Sequence, residues 1–218
     1  MDTSEDRAAR HSALGDVVRL AIVDELLWSD RSPVELRRRL GIESNLLAHH
    51  LDVLEAVGLV VRSRSSGDGR RRYVHLVRDA LDSLGARREL AAGAALFVCT
   101  RNSARSLLAA ALWRSLTGAS AASAGTHPAE RAHPGAVKAA RRAGVSLEGA
   151  VPRALSAVER VPDLVVTVCD QAHEELQPAP EWLHWSIPDP VPAGTAAAFD
   201  AAVSELRQRI SLAVGAAA

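Results

Sequence analysis

The chain has 218 residues, equal numbers of basic and acidic side chains, and 48% hydrophobic residues. That length suits two small domains, and that apolar content excludes a disordered chain. No run approaches the roughly 20 apolar residues of a membrane helix, and the polar N-terminus lacks the apolar segment of a signal peptide. Two cysteines, Cys99 and Cys169, are too few for a disulfide scaffold. We therefore expect a cytoplasmic protein with no membrane partner.

Positive charge is concentrated in one stretch of the first half. Between Arg31 and Arg78 there are ten arginines against five acidic residues. A local basic stretch in a neutral chain is typical of a nucleic-acid-binding surface, and a solvated face without a partner has the same composition. Charge alone leaves both interpretations open.

The first predicted elements are a run of short helices followed by a hairpin. Residues 1–10 have the composition of a flexible polar tail, and residues 17–28 have helical spacing. Ser32-Pro33-Val34-Glu35 is a capping-box helix start, and Gly41 is a stop signal. A further helix runs from Ser44 to Gly58, and strands over 59–61 and 71–76 flank a turn. The order is helix, short turn, helix, hairpin.

The segment Leu47-Ala48-His49-His50-Leu51-Asp52-Val53-Leu54, followed by Ala56-Val57-Gly58-Leu59-Val60, resembles the recognition helix and first wing strand of ArsR-type winged-helix repressors. The resemblance covers about residues 11–78. It implies an α+β winged helix-turn-helix domain over 11–84 that binds a double-stranded DNA operator as a homodimer. The helix would contact bases and the wing would contact phosphates. The implied DNA-binding residues are Ser44, Asn45, Ala48, His49, Arg62, Arg64, Arg70, Arg71 and Arg72.

Metal sensing is not expected in this first domain. His49 and His50 are adjacent, so on a helix they point about 100° apart and share no metal. The domain has no cysteine, and residues 76–93 contain no histidine. An effector would therefore act through the second domain.

The second half alternates strands and helices after a linker predicted at 85–93. Strands are expected over 94–98, 120–124 and 164–168, and helices over 106–116, 131–143 and 195–214. Such alternation predicts an α/β domain with a central parallel sheet over residues 94–218.

The loop from Cys99 to Ser106 carries the chemistry expected of this domain. Its sequence is Cys99-Thr100-Arg101-Asn102-Ser103-Ala104-Arg105-Ser106, with a strand before it and a helix after it. Such a loop can turn its backbone N–H groups toward an oxyanion, and the helix N-terminus adds positive potential. Arg105 can hold two oxygens at once, and the same field favours a Cys99 thiolate, to which Ser106 can donate a hydrogen bond.

Four segments in order, residues 98–106, 123–128, 166–170 and 184–190, resemble the low-molecular-weight tyrosine phosphatase fold, and within it the arsenate reductases. The resemblance implies that Cys99 is the nucleophile, Arg105 the oxyanion clamp and Asp189 the general acid. Asn102 would hold the loop shape. Cys169 matches a resolving cysteine, and its alternative role is that of a buried strand-end residue. Val191 and Pro192 replace the aromatic wall of a phosphotyrosine pocket, which favours arsenate over phosphotyrosine.

Three departures from the reductase pattern leave the activity open. Arg101 replaces a glycine and either crowds the loop or adds a positive group at its mouth. Ala104 replaces a frequent cysteine, and Leu176 lies where a third relay cysteine would be. The preferred interpretation is a DNA-binding regulator whose second domain binds arsenate, phosphate or sulfate, or senses redox state.

The alternatives are an active arsenate reductase fused to its own repressor, with tyrosine phosphatase activity less favoured, or an inert domain that serves dimerisation. No cofactor or metal is expected. A reductase would use a thiol reductant such as thioredoxin or a small cellular thiol.

Overall fold

The computed structural model describes residues 3–82 and 92–214, and the chain divides into two compact units. The first comprises Met1–Ser65 and Gly69–Arg88, and the second comprises Ser66–Asp68 and Glu89–Ala218. The predicted linker over 85–93 lies outside the described residues except for Ala92 and Gly93. None of the helices in the two described ranges has both the length and the apolar character needed to cross a bilayer.

The first unit is built from helices followed by an antiparallel hairpin. Its elements are α1 (Ser4–Leu14), α2 (Val17–Leu26), α3 (Pro33–Leu40), α4 (Ser44–Ala56), β1 (Val60–Arg64), β2 (Arg72–Leu76) and α5 (Arg78–Asp82). The predicted capping box of α3 is confirmed, because the Ser32 hydroxyl accepts from the Glu35 N–H while the Glu35 carboxylate accepts from the Ser32 N–H at 2.7 Å. Helix α3 ends at Gly41, which has a φ of 65°.

The prediction of a flexible tail over residues 1–10 is wrong, because α1 begins at Ser4. Thr3 and Asp6 form a capping box, with the Thr3 N–H donating to the Asp6 carboxylate at 2.9 Å. Arg10 donates from Nε to the carbonyl of Val57 at 3.1 Å, and Ala13 is buried in the core of the unit. The polar composition of this segment did not indicate a helix, because the helix is stabilised by its cap and by tertiary contacts.

Strands β1 and β2 pair with Val61 opposite His75 and Ser63 opposite Tyr73. The segment before α3 joins this hairpin, since Arg31 and Val74 exchange two backbone hydrogen bonds. The core beneath the hairpin consists of aliphatic side chains from every helix and both strands of the unit. Helix α5, of five residues, was not predicted and is too short for a periodic pattern.

The second unit is an α/β domain with a parallel sheet. Its elements are β3 (Ala95–Cys99), α6 (Arg105–Thr117), β4 (Ala121–Gly125), α7 (Pro134–Arg142), β5 (Leu164–Thr167), α8 (Asp170–Leu176), β6 (Leu183–His184) and α9 (Ala196–Ala213). The strand order is β4-β3-β5-β6, with every neighbouring pair parallel. The predicted parallel sheet is therefore confirmed.

Strand β3 is central and buried on both faces. Ala95, Phe97 and Cys99 join the larger core with α6, α7 and α9, whereas Leu96 and Val98 pack on the opposite face. This alternation follows from the two-residue period of a strand. It brings Cys99 to the carboxyl end of the sheet on the same face as α6.

The structure differs from the prediction at a helix whose start is set by its cap, and at two elements that are too short to show a period. Helix α7 begins at Pro134 rather than Arg131, because the His133 ring accepts the Gly135 N–H at 3.1 Å and proline suits the first helical position. Helix α8 and the two-residue strand β6 were not predicted, since both are too short to show a period.

Candidate oxyanion-binding site

The predicted loop lies between the end of β3 and the start of α6. Cys99 is the last residue of the strand and Arg105 the first of the helix. The first turn of α6 contains no acidic residue, so nothing there opposes the positive potential of its N-terminus. The fold therefore places a cysteine sulfur beside the positive end of a 13-residue helix.

The Cys99 sulfur is buried and receives polar contacts from its own loop. The backbone N–H of Asn102 donates to it at 3.2 Å, and the Ser106 hydroxyl lies 3.0 Å away. Two polar groups of the loop therefore lie against this sulfur. Ser106 thus lies where the sequence predicted it.

Asn102 holds the bend of the loop. Its φ of 45° is left-handed, a conformation that asparagine tolerates better than most residues. Its side-chain amide donates to the Ser106 hydroxyl at 2.8 Å, and its side-chain oxygen accepts the Arg153 N–H at 2.9 Å. These contacts support the predicted role of Asn102 in holding the shape of the loop. They also show a contact with the backbone of Arg153 that the sequence analysis did not predict.

The segment after β4 fixes the outer side of the loop. Backbone N–H groups of this segment donate to the carbonyls of Cys99, Thr100, Arg101 and Ser103 at 2.8 to 3.2 Å; the donors are Thr126, His127, Ala129 and His133. A Cβ on Gly125 would lie 2.7 Å from the Thr100 carbonyl oxygen, so only glycine fits there. Since a trans peptide points its N–H opposite its carbonyl, outward carbonyls leave the loop amides facing inward.

Arg105 and Asp189 meet at this site although 84 residues separate them. The buried guanidinium of Arg105 donates from Nη1 to the Ile187 carbonyl and from Nη2 to the Asp189 carboxylate, each at 3.0 Å. Asp189 also accepts the Val191 N–H at 3.1 Å and keeps 36% of its side chain exposed. The two residues predicted as clamp and acid are therefore adjacent.

The remaining residues of the loop differ in how exposed their side chains are. Arg101 is exposed and does not have a positive φ, so the loop accepts its side chain without left-handed strain. Of the two alternatives for Arg101, the exposed side chain agrees with an added cation rather than a crowded loop. Ser103 is half-buried, and Thr100 and Ala104 are buried.

Cys169 lies just after β5 and caps α8, where its sulfur accepts the Ala172 N–H at 3.3 Å. The Thr100 hydroxyl lies 3.2 Å from the same sulfur. Burial raises the pKa of the Cys169 thiol, and the neighbouring Cys99 raises it further, whereas the Arg105 charge lowers it. Both cysteines are buried free thiols.

Sequence reasoning missed a buried contact between a carboxylate and an imidazole beside Cys169. Asp170 and His184 are buried, with Asp170 Oδ1 3.2 Å from His184 Nε2. Burial favours a raised pKa for Asp170, but its hydrogen bonds, of which those from His184 and Ser186 have the largest effects, help to lower the pKa to about 2. Both residues stood in the segments that carried the resemblance, and the signal in the sequence was an aspartate three residues after the end of a buried strand.

The predicted DNA-binding residues are mostly exposed. Ser44, Asn45, Ala48 and His49 are exposed on α4, and Arg64, Arg70, Arg71 and Arg72 are exposed on the hairpin. Arg62 is half-buried and forms ion pairs with Asp52 and Glu55 of α4. Its charge is thus already paired, and the hairpin strand is tied to the helix.

His50 is buried, and within the described ranges no three His, Cys, Asp or Glu side chains cluster as metal ligands.

Comparison with known proteins places the second unit in a family. Residues 94–213 match the model for low molecular weight phosphotyrosine protein phosphatase. Among solved structures, an arsenate reductase from Archaeoglobus fulgidus DSM 4304 is 28% identical, with 56% of this chain and 98% of that one covered and a TM-score of 0.48.

The tyrosine phosphatase Wzb from Escherichia coli K30, in complex with sulphate, is 26% identical over 54% of this chain and 93% of its own, with a TM-score of 0.49. A YwlE mutant from Bacillus subtilis is 24% identical over 54% and 93%, with a TM-score of 0.47. No curated protein sequence matches the chain. Through residues 94–213, the chain belongs to the low molecular weight phosphotyrosine protein phosphatase family.

Proposed function

We propose that this protein is a DNA-binding transcriptional regulator whose second unit binds a small tetrahedral oxyanion in the loop from Cys99 to Arg105. The observation that carries the proposal is the contact set around the Cys99 sulfur, which accepts the Asn102 N–H and lies 3.0 Å from the Ser106 hydroxyl at the N-terminus of α6. The same amides and the same helix end suit an anion seated above that sulfur.

Arsenate and phosphate fit this loop for a steric and an electrostatic reason. The guanidinium of Arg105 offers a planar fork for two oxygens, and Arg101 adds an exposed cation beside it. The residues after Asp189 are Pro190, Val191 and Pro192, so no aromatic side chain follows it to hold a phosphotyrosine ring. A small inorganic oxyanion is therefore the favoured ligand.

The DNA-binding part of the proposal rests on α3, α4 and the hairpin. Helix α3 stops at the left-handed Gly41, and α4 follows after a short turn with its polar residues Ser44, Asn45 and His49 exposed. The exposed arginines lie on the hairpin that follows. This is the order of a winged helix-turn-helix, in which the second helix enters the major groove and basic groups contact phosphates. A homodimer on a two-fold operator is the expected assembly.

The contact between Thr100 and Cys169 favours arsenate reduction as a second candidate function. In that reaction the Cys99 thiolate bonds to arsenic and water leaves. Cys169 then attacks the Cys99 sulfur, the sulfur–arsenic bond breaks, and its electron pair leaves with arsenite. Two thiols are oxidised to one disulfide while As(V) is reduced to As(III). Thioredoxin or a small cellular thiol would restore the thiols.

The deciding experiment measures both activities on one sample of the full chain. DNA from upstream of the chain's own gene is titrated with protein, with and without arsenate, and a scrambled duplex serves as control. Arsenate reduction is followed in parallel with a thiol donor. Release from the upstream DNA without turnover supports the regulator, and release with turnover supports a regulator that is also a reductase.

Two results would contradict the proposal. Equal affinity for upstream and scrambled DNA would contradict the proposal of a DNA-binding regulator, whatever the second unit does. If calorimetry shows that arsenate, phosphate and sulfate all fail to bind, the proposal of an oxyanion-binding site would be contradicted. Cys99→Ser is the matched variant, because it should abolish turnover and leave DNA binding by the anion-free protein intact.

A further inference from the structure

Three polar side chains in the first unit form a hydrogen-bonded chain that the proposed function does not use. The Ser63 hydroxyl lies 2.7 Å from Nε2 of His75, and Nδ1 of the same ring lies 3.2 Å from the Asp30 carboxylate. Asp30 is fully buried, whereas the His75 side chain is 13% exposed. The serine and the carboxylate therefore use opposite nitrogens of one imidazole.

Backbone pairing brings these residues together from three segments. His75 in β2 faces Val61 in β1, and Ser63 is the diagonal neighbour two residues further along β1. Asp30 immediately precedes Arg31, which exchanges two backbone hydrogen bonds with Val74. The carboxylate thus lies beside the strand that carries His75, and the ladder holds all three groups in place.

The arrangement determines what the imidazole can do. A buried carboxylate at Nδ1 favours the tautomer with its proton on that nitrogen. The lone pair of Nε2 is then available to accept the Ser63 proton. A base hydrogen-bonded to a hydroxyl and oriented by a third group is the general signature of an activated nucleophile.

We propose that Ser63 is an activated nucleophile and a site of covalent acylation by activated esters. In the step proposed, Ser63 Oγ bonds to the ester carbonyl carbon while His75 Nε2 accepts the hydroxyl proton. The bond from that carbon to the leaving alcohol oxygen then breaks, and His75 returns the proton to the alcohol. The products are an O-acyl serine and a free alcohol, so no oxidant or further co-reactant is needed.

The site is independent of the cysteine chemistry. Ser63, His75 and Asp30 all belong to the first unit, whereas Cys99 and Cys169 belong to the second. The half-buried Ser63 is also distinct from Ser12, an exposed serine on α1 of the same unit. Ser12 therefore serves as an internal control for the unassisted reactivity of a serine hydroxyl.

The test treats the full chain with p-nitrophenyl acetate and quantifies acetylated peptides by mass spectrometry. General-base assistance contributes about 10²–10⁴-fold, so we expect Ser63 to be acetylated at least about 100-fold faster than Ser12. His75→Gln should reduce Ser63 labelling to the level of Ser12 and leave Cys99 labelling unchanged. Acetylation of Ser63 no faster than Ser12, or equally fast in His75→Gln, would overturn the proposal.

A second measurement on the unmutated chain keeps the test independent of variant stability. The rate of Ser63 acetylation is followed from pH 5 to pH 9. Assistance by a general base predicts a rate that rises and then levels off within this range. A rate that keeps increasing tenfold per pH unit would show attack assisted by hydroxide alone, and the proposal would fail.

Discussion

The hydroxyl of Thr100 lies 3.2 Å from the sulfur of Cys169, so the residue after Cys99 contacts the second cysteine of the unit. This contact joins the loop that follows β3 to the loop that follows β5. It also lowers the pKa of a thiol that burial raises. The reactivity of Cys169 therefore depends on a side chain of the oxyanion loop.

Thr100→Val should make Cys169 less reactive at neutral pH. The substitution keeps the branched shape and removes the hydroxyl, so the pKa of Cys169 should rise further. A hydrogen bond contributes about 1 kcal/mol, which corresponds to roughly a fivefold slower alkylation by iodoacetamide. The Cys169 peptide is quantified by mass spectrometry across pH. Thr126→Val, on the segment after β4, is the control, and equal slowing in both variants would count against the contact.

Asn102→Gly and Asn102→Ala should separate backbone strain from lost hydrogen bonds. Both variants lose the contacts to Ser106 and to the Arg153 N–H, and both should weaken arsenate binding. Alanine must in addition adopt the left-handed φ, at a cost of about 1 kcal/mol that glycine avoids. Denaturant unfolding should therefore show Asn102→Ala as the less stable variant. Equal stabilities would mean that the loop relaxes out of this conformation.

Arg105→Lys should weaken oxyanion binding although it keeps the charge. Lysine lacks the planar fork and cannot bridge an anion, Ile187 and Asp189. Losing one charged hydrogen bond of about 1.5–3 kcal/mol corresponds to a loss of roughly 10- to 100-fold in arsenate or phosphate affinity. Calorimetry would measure the affinity of both proteins for arsenate and for phosphate. Arg114→Lys on the same helix is the control, and unchanged affinity in Arg105→Lys would exclude the clamp.

Asp170→Asn should destabilise the protein at pH 7 and less so in acid. The pKa of Asp170 is lowered from 3.8 to about 2, so its ionised form stabilises the folded state above pH 3.8, and this is lost as pH falls through 2. The shift corresponds to about 2 kcal/mol. Urea unfolding at pH 7, 4 and 3 should show the difference between wild type and variant roughly halved at pH 3. A difference independent of pH would indicate lost packing instead.

Removing hairpin arginines should flatten the salt dependence of DNA binding. Each phosphate contact contributes a slope of about −0.9 in a plot of log affinity against log salt concentration. Arg70→Ala with Arg71→Ala should therefore reduce the slope by about 2 on any duplex. Arg141→Ala, an exposed arginine of α7, removes charge from the other unit and should leave the slope unchanged. A matching reduction in that control would exclude a specific hairpin contact.

Local sequence signals were sufficient for the elements that carry strong caps or periods. Ser32, Glu35 and Gly41 marked the ends of α3, and the apolar runs before Cys99 and Cys169 marked β3 and β5. The helix at residues 4–14 was missed because its side chains are polar and its support comes from Thr3 and from Val57 across the unit. Charge counting likewise could not show that Arg62 is paired with α4.

The sequence by itself determined the parallel sheet, the loop between β3 and α6, and the residue types in that loop. These follow from spacing along the chain, because a strand, a tight loop and a helix start are local events. Only the tertiary structure showed the direct contacts between distant groups: Arg105 donates to Asp189, Thr100 lies beside the Cys169 sulfur, and the Asp30 carboxylate lies beside His75. Such pairs depend on sheet order and register, which place residues far apart in sequence at adjacent strand ends, and no local pattern encodes that placement.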